Sequence, residues 1–304
     1  MRRITAGTND EGKRLDRFLL KLSAKLPSSA IYKALRKKQV KVNGKRITDG
    51  AFRLSAEDEL ELYFNDDWFA DREKPLWADA SGELSVIYED AHILMMNKPA
   101  GLLSQGEGRT DCLENRMRAY LYRTGAFRPE EEQTFLPSLC HRIDRNTSGL
   151  VIGAKDAEGL REMNRLIRTR KLRKFYRCEL ESEPPQKQGE IVGFLYKDEK
   201  NRRMIFSENS HPGAVACHTR YRVLRGGTPA QVEAELLTGR THQIRAGFAY
   251  LGCPLVGDVK YGAMRRKEYQ HLHAVLIRFE TEIAGCLSYL GGREFLCSDR
   301  KEET

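Results

Sequence analysis

Along the first quarter of the chain, Leu15, Phe18, Leu19, Leu22 and Leu26 recur at the spacing of one helix face, and Pro27 closes the pattern. A second helix is expected over "SSAIYKALRKKQ", capped by Ser28 or Ser29. It turns Ile31, Ala34 and Leu35 inward and Lys33, Arg36, Lys37 and Lys38 outward. In "VKVNGKRI", Asn43-Gly44 supplies two residues that tolerate positive φ, which predicts a tight hairpin. "RLSAEDELELYF" then alternates as a strand.

From Leu84 onward the period changes repeatedly. "SVIYEDAHILMMNKPAG" predicts strand, turn and strand ending in a Pro-Ala-Gly turn, and "GLVIGAKD" a short buried strand. "AEGLREMNRLIRTRK" sets Leu160, Met163, Leu166 and Ile167 on one helical face, while "KFYRCEL" puts Tyr176, Cys178 and Leu180 on one side of a strand. "QVEAELLTGRTHQIRAGFAYLG" predicts strand, loop and helix: Thr241 as N-cap, Ile244, Phe248 and Leu251 as the buried stripe, Gly252 as the stop. Strands interrupted by occasional helices, without a regular βαβ rhythm, indicate an α+β fold. The expected architecture is a mixed, largely antiparallel sheet flanked by helices and loops, preceded by a small helix-helix-hairpin module. Residues 1–64 form that module and residues 84–304 the larger domain. Residues 65–83 are acidic and aperiodic, hence a linker. Of the roles open to Trp68 and Trp77, docking is favoured over base stacking, because the acidic neighbours repel phosphate.

Charge sharpens this division. The net charge is +9, and residues 1–64 hold 15 Lys and Arg against 8 Asp and Glu, which leaves only two of the surplus charges elsewhere. A basic module of this kind seeks polyanions, nucleic acid or an anionic membrane. Lys33 to Lys38 alone could be a solvated helix face; their continuation into Lys41, Lys45 and Arg46 across the turn favours phosphate binding. No run of eighteen apolar residues occurs, and no apolar stretch follows the basic start "MRRITAGTNDEG". Seven scattered cysteines, none in C-x-x-C spacing, suit reduced thiols and no zinc site. A cytoplasmic protein without a membrane role, acting as a monomer, is expected.

Several chemistries are absent: no G-x-x-x-x-G-K-[ST], no G-x-S-x-G, and no H-x-E with C-x-x-C. Catalysis without cofactor or metal remains. Within "SLCHRIDRNTSGLVIGAKD", Asp144 stands between Arg142 and Arg145, which favours its charged form and makes it a candidate nucleophile. Taken alone, the cluster reads first as a structural ion pair.

"HRIDRNTSGLVIGAK" resembles the H-R-L-D-R-x-T-S-G-hydrophobic-A-K signature of the RluA-type pseudouridine synthases, with Ile143 in place of Leu. "VIYEDAHILMMNKPAGLL" resembles the opening of their catalytic domain, "KFYRCEL" their K-x-Y strand, and "GRTHQIR…LGCPLVGDVKYG" their third motif. "RLDRFL…KALRKKQVKVNGKRI" is similar to the small ribosomal-protein-S-four-like RNA-binding domain. Two departures stand out: Ala246 and Gly247 follow Arg245 where the family commonly has V-H, and "SQGEGRTD" is divergent.

The resemblance implies isomerisation of uridine in RNA by glycosidic cleavage, base rotation and rejoining at ring carbon 5. Asp144 would stabilise or trap oxocarbenium character at the sugar. Tyr176 would stack on the base and is the candidate late proton acceptor, and Arg245, 101 residues beyond Asp144, would pair with its carboxylate. Arg240 is the less favoured partner. Arg142 would brace the gap left by the flipped uridine. The basic run from Arg161 to Arg177 would follow the RNA backbone. Large-subunit ribosomal RNA is the expected target, with transfer RNA second. A non-catalytic ribosome-associated RNA-binding factor and a glycosylase that releases free uracil are the competing readings.

Overall fold

The computed structural model describes residues 1–23, 27–64, 75–80, 82–106 and 108–298. In the basic module, helices α1 (Leu15–Leu22) and α2 (Ser28–Arg36) pack on strands β1 (Arg2–Thr5), β2 (Val40–Val42), β3 (Lys45–Arg46) and β4 (Glu59–Leu62). The strands form an antiparallel sheet in the order β1-β4-β2-β3. Leu15, Phe18, Leu19, Ile31, Leu35, Val40 and Leu60 close a small core of their own, and Leu26 lies outside the described residues.

The hairpin turn is as expected, with Asn43 at φ 48° and Gly44 at φ 76°. Three details differ from the sequence reading. Pro27, not a serine, occupies the N-cap of α2, and no side chain caps it. The expected strand over "RLSAEDELELYF" contracts to Glu59–Leu62, because Asp58 accepts the Ser55 N–H at 2.8 Å and Glu57 turns to φ 67°. β1 is an unforeseen strand; "RRIT" buries only Ile4, opposite Leu60, so it carries almost no alternation.

The larger body holds α3 (Leu113–Arg123), α4 (Ala157–Arg168) and α5 (Gln243–Tyr250). Its strands are β5 (Ser85–Glu89), β6 (Ile93–Lys98), β7 (Ser138–Leu139), β8 (Ser148–Ala154), β9 (Leu172–Leu180), β10 (Gln188–Asp198), β11 (Arg203–Ser207), β12 (Val215–Arg225), β13 (Ala230–Leu236), β14 (Leu272–Phe279) and β15 (Glu294–Leu296). They make one sheet in the order β11-β10-β12-β13-β9-β14-β8-β6-β5, with β15 beside β14 and β7 beside β8. The β14–β8 pairing is parallel and every other pairing is antiparallel. The α+β expectation therefore holds. Trp77 is buried with its ring edge-on to Tyr122 and Phe127; Trp68 and residues 65–74 of the expected linker lie outside the described residues.

Polar contacts tie the two bodies together. Asn9 donates to Glu132 at 2.6 Å and accepts the Ala157 N–H at 2.8 Å, at the start of α4. The fully buried Asp10 carboxylate accepts from Lys13 and from Thr134.

The parallel contact depends on Gly149. At φ 107°, a Cβ there would stand 2.3 Å from the Ala274 carbonyl oxygen and 2.6 Å from its nitrogen. Both are backbone atoms of the neighbouring strand, so neither can swing aside. Gly149→Ala is expected to cost at least about 2 kcal/mol in urea unfolding, from the clash and the left-handed backbone together. The control Gly125→Ala, at φ 72° with open space around it, should cost about 1 kcal/mol. Equal losses would mean that the close approach is not what requires glycine.

Candidate active site

Asp144 lies in the loop between β7 and β8, and residues far away in sequence fix that loop. Ser104 donates its hydroxyl to the Ile143 carbonyl at 2.7 Å and accepts the Ile143 N–H at 3.2 Å. Lys98, at the end of β6, is fully buried and donates to the carbonyls of Pro99, Leu102 and Arg145 at 2.9, 2.7 and 2.9 Å. Burial pushes its pKa down to about 7, with the Asp144 carboxylate working in the opposite direction. Within the loop, the Thr147 N–H closes a turn on the Asp144 carbonyl at 3.1 Å.

The flanking arginines do not hold the carboxylate. Arg145 turns away to donate to the Gly101 carbonyl at 2.9 Å, and Arg142 is exposed, with no hydrogen bond or ion pair to any described residue. Arg245 takes their place. From the buried face of α5 its Nη1 donates to Asp144 Oδ2 at 3.2 Å, while Nε and Nη2 grip Asp258 Oδ2 and Oδ1 at 2.7 and 2.8 Å. The two-pronged grip thus falls on Asp258, with one bond left for Asp144. Burial opposes the Arg245 charge, but the two carboxylates outweigh it and raise its pKa. Asp144 Oδ1 accepts no hydrogen bond from any described residue.

The loop ahead of α5 is pinned by one buried side chain. Gln243 donates to the His218 carbonyl and the Thr219 hydroxyl, and accepts from the Thr238 hydroxyl and the Arg240 N–H, all between 2.8 and 3.0 Å. In consequence the helix starts at Gln243, and its N-cap is His242, in the left-handed conformation at φ 54°, instead of Thr241. His242 Nε2 stands 3.8 Å from Asp144 Oδ2, and its Nδ1 is 2.8 Å from the Tyr261 hydroxyl. Tyr261 also lies under the Arg245 guanidinium at 4.9 Å. The departure at Ala246 and Gly247 has a packing role: both are buried, and a Cβ on Gly247 would meet Ile191 of β10 at 3.3 Å.

Tyr176 completes the site from β9. Its cross-strand neighbours are Ala234 and Ala274, and the ring is buried with them, lining the cleft. Burial and the nearby Asp144 charge raise its pKa, so its hydroxyl stays protonated. Asp144, Tyr176, Arg245 and Arg142 all line one cleft of about 1030 Å³. Arg168, Arg170, Arg173, Lys174 and Arg240 also face it, drawn largely from the second basic run. Arg173 is committed to Glu235 at 2.7 and 3.0 Å, and burial lowers the Lys174 pKa. Outside this cleft, Lys33, Arg36, Lys37, Lys38, Lys45 and Arg46 are exposed on the small module, whereas Lys41 pairs with Glu61 at 3.2 Å. The sequence reading assigned no role to Lys98, His242, Asp258 or Tyr261. Each stands in a stretch that carries the resemblance, "NKPAG", "GRTHQIR" or "GDVKYG", and membership of those motifs is the signal that marks it.

Residues 92–250 match the RNA pseudouridylate synthase family and residues 13–60 the S4 domain. The chain is 32% identical to ribosomal large subunit pseudouridine synthase C of Rickettsia bellii, over 90% of this chain and 91% of that protein. It is 33% identical to the protein of the same name from Vibrio vulnificus, over 88% and 85%. In fold it is similar to the human RNA pseudouridylate synthase domain containing 4, with a TM-score of 0.56 at 22% identity over 71% of this chain and 89% of that one. The human domain containing 1 gives 0.54 at 21% identity over 76% and 95%. The chain belongs to the RNA pseudouridylate synthase family, RluA type with an S4 domain, and is an isomerase that converts uridine in RNA to pseudouridine.

Proposed function

We propose that this enzyme modifies uridine in large-subunit ribosomal RNA, with Asp144 as nucleophile, Arg245 as its positioning partner and Tyr176 as the platform for the flipped base. The observation that carries the reading is the asymmetry at Asp144: one carboxylate oxygen is tied to Arg245, and the other is unengaged in a basic cleft beside Tyr176. Free Oδ1 approaches the anomeric carbon as the bond to ring nitrogen 1 breaks, and Oδ2 keeps its guanidinium partner throughout. The detached uracil turns against Tyr176, ring carbon 5 bonds to the sugar, and Asp144 departs. Carbon 5 loses its proton and nitrogen 1 gains one, so the reaction is an isomerisation without net change. Because the Tyr176 hydroxyl is undissociated, it can take a proton only by passing its own onward.

Arg142, exposed at the rim and without a partner among the described residues, fills the stack that the uridine leaves. Residues 1–64 supply affinity through Lys33, Arg36, Lys37, Lys38, Lys45 and Arg46, with Lys41 contributing once it exchanges Glu61 for phosphate. Residues 84–304 carry the chemistry. The relatives' names support the large-subunit target. Among the described residues no helix is long and apolar enough to cross a membrane, and all seven cysteines are free thiols. A monomer working on RNA in the cytoplasm is the accompanying part of the proposal. Mapping pseudouridines in total RNA from a deletion strain tests the target: loss at a 23S-type site supports it, and loss only in transfer RNA overturns it.

Asp144→Asn should fold and bind RNA normally yet release tritium from RNA labelled at uracil carbon 5 at least about 10³-fold more slowly. Tyr176→Phe should keep RNA affinity and lose rate, while Tyr176→Leu loses rate and affinity together, since only the latter removes the stacking face. Wild-type turnover by Asp144→Asn, once deamidation is excluded, would rule out the nucleophile.

Removing one cation that touches phosphate should flatten the dependence of log affinity on log salt by roughly 0.7 to 0.9. Replacing Arg36, Lys37 and Lys38 together with Ala should therefore reduce the slope by about two to three, with the single-turnover rate on a saturating short RNA preserved. An unchanged slope would reduce this face to a solvated surface. A collapsed rate would move the module into the active site.

A further inference from the structure

The geometry points to His242 as a positioning residue for Asp144, a second hydrogen-bond donor that acts on the same carboxylate oxygen as Arg245. This rests on the reading of Asp144 as nucleophile. The tautomer follows from the hydrogen-bond chain behind the ring. The Tyr261 hydroxyl accepts the Met204 N–H at 2.9 Å and lies 2.8 Å from His242 Nδ1. No other described residue accepts its proton, so the hydroxyl donates to Nδ1. The imidazole proton then sits on Nε2, the nitrogen that faces Asp144 Oδ2 at 3.8 Å. The opposite tautomer would strand the tyrosine proton and set two lone pairs against each other. Burial lowers the His242 pKa, against the pull of Asp144, which suits a neutral ring with this single arrangement.

The backbone supports the same assignment. His242 is held at φ 54° and ψ 21°, a conformation uncommon for a residue with a side chain. It is over-determined by the four hydrogen bonds of Gln243 on one side and by the start of α5 on the other. This aims the ring at the carboxylate. At 3.8 Å the contact is longer than a hydrogen bond, as expected of a site that tightens once substrate is bound. With Arg245 and His242 both directed at Oδ2, Oδ1 is the oxygen left for the sugar. When the carboxylate departs from the anomeric carbon and regains its charge, the Nε2–H is already in place to receive it.

Two substitutions separate this from simple packing. His242→Asn favours the left-handed backbone and can still meet Tyr261, but has no atom in the place of Nε2. His242→Gln carries an amide nitrogen there. At saturating RNA, His242→Asn should lower the single-turnover rate about 10- to 100-fold with the RNA dissociation constant and Tm unchanged. His242→Gln should recover at least about a third of the wild-type rate. Wild-type rate in His242→Asn, or a shared loss in both variants that follows a lowered Tm, would overturn the assignment. Asp144→Asn runs in parallel: if it is inactive while His242→Asn is normal, only this inference fails; if it is active, the nucleophile assignment fails first.

Discussion

The guanidinium of Arg245 is the hinge of the site. It is 7% exposed and lies between Asp258, which is 2% exposed, and Asp144 at the cleft wall. Removing such a charge from water is costly unless its donors are matched. Here Asp258 matches two of them with the planar geometry that guanidinium and carboxylate share. Asp258 thereby fixes the rotamer, and only the remaining donor is offered to Asp144. A guanidinium gripped by Asp144 alone would engage both oxygens and leave the proposed nucleophile occupied.

The opposite side of Asp144 depends on backbone carbonyls instead of charges. Lys98 gathers three of them around one buried ammonium, including that of Arg145, immediately after Asp144. Ser104 holds the residue just before it. The stretch "NKPAGLLS" thus serves as the rear wall of the Asp144 loop. Loop conformation and carboxylate orientation are set by separate partners, so neither has to compromise for the other.

Electrostatics outside the site are organised by distance. The cleft's own cations stand around Asp144, while the exposed face of α2 lies on a body with its own core. That body is moored through Asn9, Asp10 and Lys13 to residues beside α4, the helix that leads into the second basic run. Mooring through a buried carboxylate and matched amides is directional, unlike an apolar patch, and sets the module's orientation as well as its attachment.

Much of this was legible in the chain. Local rules decide helices with a clear apolar stripe, the Asn43-Gly44 turn and the strand at Ser148–Ala154, because their periods and φ preferences reside in neighbouring residues. The motif around Asp144 likewise singled out the carboxylate, and the motif around Arg245 its partner. What failed were inferences about who neutralises whom. Adjacent Arg142 and Arg145 were natural candidates by sequence, yet the backbone turn points one into solvent and the other at Gly101. The N-cap of α5 moved for a similar reason: Gln243, anchored to residues of β12, decides where α5 begins. Short-range pattern suffices for α1, α2, α4, α5, the Asn43-Gly44 hairpin and the strands of clear period, and the motif resemblance for Asp144 as candidate nucleophile, whereas β1, α3 and much of the sheet lie beyond both. The role of Asp258, the turning away of Arg142 and Arg145 and the aim of His242 come from the tertiary structure, because hydrogen bonding in a buried site is settled by which groups the sheet brings together across a hundred residues of chain.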